Sequence, residues 1–117
     1  MFERFFSVLC FGKKTITTMA TFAELISNEK PVLIDFYADW CGPCKMMAPE
    51  LEKLASMMNE EVKIVKVNVD KNQELAQHLG IRGVPTLMLY KKGELLWRES
   101  GMRNAVQLKS VIDKHKN

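Results

Sequence analysis

Trp40-Cys41-Gly42-Pro43-Cys44 sets two thiols one helical turn apart, with glycine and proline between them and an aromatic beside the first. Such a pair can cycle between dithiol and disulfide, bind a metal or act as a fixed staple. A staple here would close a loop of only four residues and contribute about 2 kcal/mol in the chain-entropy model, so it has little structural use. A structural zinc site normally takes four ligands, and the remaining candidates, Cys10, His78 and His115, include no second closely spaced pair. Redox exchange is the chemistry that uses both thiols and needs no metal.

An apolar run at 31–37 precedes the motif and a long amphipathic stretch follows it, which places both cysteines at a strand-to-helix junction. Unpaired N–H groups at a helix start favour a thiolate at Cys41, while Cys44, one turn deeper, is expected to be shielded. Lowering a thiol from about 8.5 to about 7 raises its thiolate fraction at neutral pH roughly 16-fold, while a Brønsted coefficient near 0.45 removes roughly fivefold of intrinsic nucleophilicity. Acidity alone therefore contributes little. The larger effect is a second thiol held beside the first, where intramolecular attack has a high effective molarity. Cys41 is read as the attacking thiol and Cys44 as the resolving one. Gly42 and Pro43 fix the turn between them, proline having no N–H to waste at a helix start.

Asp35 interrupts the apolar strand at 31–37, and Lys66 interrupts one face of a second β-rich run at 62–69. Two readings stand: a structural ion pair or solvated strand end, or a buried carboxyl that accepts the Cys44 proton through a water while Lys66 tunes it. Gly83-Val84-Pro85-Thr86 opens a later strand, and its proline is either a turn residue or a cis one, an isomer adopted by about one X-Pro bond in twenty.

The elements that must position these groups follow from periodicity. Thr21 and Glu24 have capping-box spacing for a short helix at 22–27. Apolar residues at Met46, Met47, Leu51, Leu54, Ala55 and Met58 give a helix over 43–59, which Pro49 deprives of one backbone hydrogen bond and bends. A helix over 72–79 stops at Gly80, and 86–90 with 95–97 forms an antiparallel hairpin around Lys92 and Gly93. Asn104 caps a last helix with Val106, Leu108, Val111 and Ile112 facing inward. The order is that of a three-layer α/β/α domain.

At 117 residues the chain suits one domain, read as an extension at 1–18 and a folded unit at 19–117. Its net charge of +3 is scattered among acids, as at 50–61 and 109–116, which argues against nucleic acid. No run of about 18 to 20 apolar residues spans a membrane. Three cysteines, an odd number, argue against a secreted disulfide framework. The apolar stretch around Phe5, Phe6 and Phe11 makes a poor signal peptide, since Glu3 offsets Arg4 and the core is short. An interfacial helix, a helix packed on the domain, or a translation start at Met19 are the other readings. A cytoplasmic location is expected, with a periplasmic or secreted one if residues 1–20 act as a signal.

Taken together, Val32–Tyr37, Trp40 to Lys45, Pro49, Lys66, Val84-Pro85-Thr86, Lys92-Gly93-Glu94 and Gly101 resemble the thioredoxin family from about residue 21 to 116. The resemblance implies the thioredoxin fold, a mixed sheet of four or five strands between helices, with a cis peptide before Pro85 facing the dithiol. It implies reduction of protein disulfides by a monomer with no bound cofactor, with electrons supplied from NADPH by a flavin-dependent thioredoxin reductase. Carried over by position, Cys41 is the nucleophile, Cys44 the resolving thiol, and Asp35 with Lys66 the proton-handling pair. Trp40, Gly42, Pro43, Val69, Val84, Pro85 and Gly101 would receive the client's extended backbone as an added strand edge.

Three features depart from the family pattern. Tyr37 stands where many thioredoxins carry a second tryptophan, Ser100-Gly101-Met102 is bulkier and more polar than the usual groove edge, and residues 1–18 replace the usual first strand. Competing functions are an oxidase or isomerase of the same fold in an oxidising compartment, and a non-catalytic binding subunit using the surface around Trp40 and Pro85.

Overall fold

Val32–Tyr37 (β1) carries almost no polar side chain, the composition of a strand covered on both faces. Among the described residues it lies inside a four-stranded mixed sheet of order β2-β1-β3-β4. Lys63–Asn68 (β2) pairs parallel to it, Thr86–Lys91 (β3) pairs antiparallel, and Glu94–Ser100 (β4) completes the hairpin with β3. The computed structural model describes residues 19–116; the expectations placed on residues 1–18, Cys10 among them, lie outside the described residues.

Alternation along the strands builds a core on each face. Val32, Ile34, Phe36, Val65, Val67, Met88 and Tyr90 pack with Phe22 of α1 (Met19–Ile26) and Leu75 of α3 (Gln73–His78). Leu33, Ile64, Leu87 and Leu89 pack on the opposite side against Met47, Leu51, Leu54 and Met58 of α2 (Gly42–Met58), and Leu108 and Ile112 of α4 (Ala105–His115). This is the expected three-layer arrangement. The same alternation puts Asp35 on the α2 face, where it is 0% exposed.

Local signals explain the helix ends. Asn104 accepts the Gln107 amide at 2.8 Å while the Gln107 side chain accepts the Asn104 amide at 2.9 Å, a reciprocal cap for α4. Gly80, just past α3, takes φ +68°, a conformation that costs glycine little. Two expectations are corrected. α1 begins at Met19, so Thr21 lies inside the helix rather than at its cap, the preceding Met19-Ala20 being good helix formers. Val106 is 69% exposed, because the buried stripe of α4 runs through Ala105, Leu108 and Ile112 and leaves its neighbour facing water. Among the described residues, no helix is long and apolar enough to cross a membrane.

Candidate active site

The chain leaves β1 at Tyr37 and turns through Ala38, Asp39 and Trp40 into α2, with Cys41 as the N-cap in an extended conformation. The Cys41 amide donates to the Ala38 carbonyl at 3.2 Å and the Cys44 amide donates to Cys41 Sγ at 3.1 Å. A sulfur therefore takes the place that an oxygen fills at ordinary helix caps, and it meets the positive end of the helix. Gly42 and Pro43 are exposed in the first turn, where the missing proline N–H leaves no carbonyl unsatisfied. Cys41 and Cys44 are joined as a disulfide with their Cα atoms 5.3 Å apart.

Both cysteines are 4% exposed, so burial does not separate them as expected. Ala38, Tyr37, Val69 and Val84 pack around the pair and cover Cys41 as much as Cys44. What distinguishes the thiols is that the Cys41 sulfur receives the helix amide, whereas Cys44 faces a cleft of about 240 Å³ lined by Tyr37, Ala38, Asp39, Lys45, Ala48 and Lys66.

Asp35 lies two residues before Tyr37 on the same face of β1, in register with Lys66. Neither of its oxygens accepts a hydrogen bond among the described residues. Burial pushes its carboxyl up to about 6, against the opposing pull of Lys66. The structure thus places Asp35 and Lys66 side by side in the register but does not join them directly. Lys66 Nζ sits 4.7 Å from the centroid of the Tyr37 ring.

Of the remaining candidates, Val69 and Val84 pack against the dithiol from other loops, and Pro85 and Gly101 are hydrogen-bonded to each other. The Val84–Pro85 bond is cis, and Pro85 is buried with its carbonyl accepting the Gly101 amide at 2.9 Å. Gly101 has φ +102°, which a side chain would strain. Val69 donates its amide to the Tyr37 carbonyl at 2.9 Å, holding the β2–α3 loop against the end of β1.

Trp40 is 69% exposed, and its Nε1–H donates to Asp70 Oδ2 at 2.9 Å. Asp70 was not among the residues expected at the site. It lies 30 residues from Trp40, and no local pattern ties the two together. Its loop is fixed by Asn68, whose Oδ1 accepts the Asp70 amide at 2.8 Å and the Lys71 amide at 3.2 Å.

The thioredoxin family model matches residues 13–114. The chain is 43% identical over 99 residues to Thioredoxin 1 of Synechococcus elongatus, covering 84% of this chain and 92% of that one. It is 45% identical over 89 residues to the thioredoxin of Bacillus subtilis, covering 76% and 86%. Among solved structures, Fasciola hepatica thioredoxin matches with a TM-score of 0.77 at 37% identity, covering 86% of this chain and 97% of that one. A mutant thioredoxin from Halobacterium salinarum matches with a TM-score of 0.77 at 39% identity, covering 86% and 88%. With a match of this breadth, and with Cys41 and Cys44 closed as a disulfide at the head of α2, the chain belongs to the thioredoxin family and is a thiol-disulfide oxidoreductase that reduces protein disulfides.

Proposed function

We propose that the two thiols divide the work, and the observation that carries this reading is the Cys44 amide aimed at Cys41 Sγ. In the reduced protein that amide and the helix start stabilise a Cys41 thiolate. The thiolate attacks one sulfur of a client disulfide, the S–S bond breaks, and the first client sulfur leaves as a thiolate. Asp35 then takes the Cys44 proton through a water that passes from the adjoining cleft to the buried carboxyl behind its wall, and its high proton affinity suits it to a general base. The Cys44 thiolate attacks Cys41 Sγ, forming the Cys41–Cys44 disulfide and expelling the second client thiolate. The client leaves reduced by two electrons.

Val69 and Val84 pack against the dithiol, and in this reading they act with Trp40, Gly42, Pro43, Pro85 and Gly101 to hold the client backbone as an extra strand while the sulfurs exchange. A flavin-dependent thioredoxin reductase returns the disulfide to the dithiol with electrons from NADPH, and the protein works as a monomer in the reducing cytoplasm. Cys44→Ser tests the division of labour. It should accumulate a mixed disulfide with client proteins at Cys41, identified by mass spectrometry, while Cys10→Ser should reduce insulin at the unsubstituted rate. A mixed disulfide at Cys44 in Cys41→Ser with none in Cys44→Ser would reverse the assignment.

A further inference from the structure

The Lys66 ammonium has two seats within reach. One is the Asp35 carboxyl across the parallel register, whose oxygens accept no hydrogen bond among the described residues. The other is the face of Tyr37, over which Nζ lies at 4.7 Å. The ammonium takes the ring. Tyr37 and Lys66 both line the cleft that Cys44 faces, whereas Asp35 lies behind its wall with no exposed surface. An aromatic face attracts a cation through its quadrupole, the more so where water is partly excluded. Burial pushes the Tyr37 hydroxyl up from its ordinary range, so the ring stays neutral at working pH.

We propose that Tyr37 is a positioning residue, whose ring holds the Lys66 ammonium on the cleft wall beside Cys44 and away from the Asp35 carboxyl, leaving Asp35 free to take up a proton. The proposal builds on Asp35 being the acceptor of the Cys44 proton. An ammonium seated on the carboxyl would favour its charged form and weaken it as a base. The other ionisable groups around this space are Asp39 from the β1–α2 loop and Cys44 and Lys45 from α2; β3 contributes only Leu87 opposite Asp35.

The test follows the carboxyl ¹³C resonance of Asp35 against pH in the full-length oxidised protein, in which neither active-site thiol titrates. Tyr37→Leu should lower the Asp35 midpoint by about one unit as the ammonium swings across. Tyr37→Phe, which keeps the ring, should leave it close to the unsubstituted value. In a Lys66→Met background, Tyr37→Leu should have no further effect. Better hydration of the cleft would lower the midpoint with or without Lys66, so a shift that persists in the Lys66→Met background overturns the proposal. A Tyr37→Phe shift as large as that of Tyr37→Leu overturns it too. In the unsubstituted protein the Lys66 side-chain protons should resonate upfield under the ring current, and unshifted resonances would also reject it. Midpoint changes that mixed-disulfide resolution rates do not follow would support the seating of Lys66 while removing Asp35 as the acceptor.

Discussion

Two carboxylates, one on β1 facing helix α2 and one on α2 itself, are treated by the fold in opposite ways. Under the first turn of α2, Asp35 is 0% exposed and neither oxygen accepts a hydrogen bond among the described residues. Further along the helix, Glu50 accepts the backbone amide of Ala105 at 2.9 Å, which ties α2 to the start of α4, and binds Lys53 at 3.3 Å. Burial pushes Asp35 up to about 6, whereas the Ala105 amide and then Lys53 hold Glu50 below its ordinary range. Where a carboxylate serves architecture, its lone pairs are met. The carboxylate that takes up the proton in the proposed mechanism is the one left unmet, at a cost in stability.

The sharpest way to break this contrast is Asp35→Asn. Resolution of the mixed disulfide should slow by about tenfold to a hundredfold, toward the usual worth of a general base. Stability should move the other way. The folded state holds the Asp35 proton more tightly than the unfolded chain, so folding loses free energy as pH rises from the unfolded value of 3.8 to the folded value of about 6. A shift of this size corresponds to about 3 kcal/mol, fully present above the folded value and absent below the unfolded one. Chemical denaturation should therefore find Asp35→Asn more stable than the unsubstituted protein at neutral pH, with the advantage vanishing in acid. An advantage independent of pH would mean that repacking, rather than an uncompensated charge, sets it.

Glu50→Gln sharpens the other side with a smaller effect of opposite sign. Its folded proton affinity is lowered, so its contribution is present above the ordinary carboxylate range and lost as pH falls through the folded value. At neutral pH the melting temperature should fall by a few degrees at most, the difference should close in acid, and disulfide reduction should be unchanged. A drop in turnover equal to that of Asp35→Asn would erase the distinction between the two carboxylates.

The contrast was only half legible in the sequence. Asp35 stood out because a charge interrupts an otherwise apolar strand, and the junction carrying Cys41 and Cys44 follows from the change of period on either side of it. Asn104 announced its cap because the partner is three residues away. Glu50 did not stand out, since an acid on an exposed helix face is ordinary and its partner Ala105 lies 55 residues on. The seat of Lys66 on Tyr37 was equally silent, because strand register places a Cα but a long flexible side chain chooses its own partner. The exposed position of Val106 shows the limit within a single helix, where apolar type suggested an inward face and the phase of the stripe decided otherwise.

Asp70 tests whether a satisfied carboxylate can nonetheless belong to the site. It is hydrogen-bonded, as Glu50 is, yet its partner is the exposed indole of Trp40 beside the disulfide. If the bond orients Trp40 as a wall for the client, Asp70→Ala should lower kcat/KM for a protein disulfide by about two- to fivefold, the worth of one modest hydrogen bond. A small synthetic disulfide, which needs no wall, should be reduced at the unsubstituted rate, and the Trp40 indole proton should shift in the NMR spectrum. Asp70→Asn keeps an acceptor and should restore most of the loss. Equal losses on both substrates would place the effect at the sulfurs, and the rule that satisfied carboxylates serve only architecture would then hold for Glu50 but fail one loop away from Asp35.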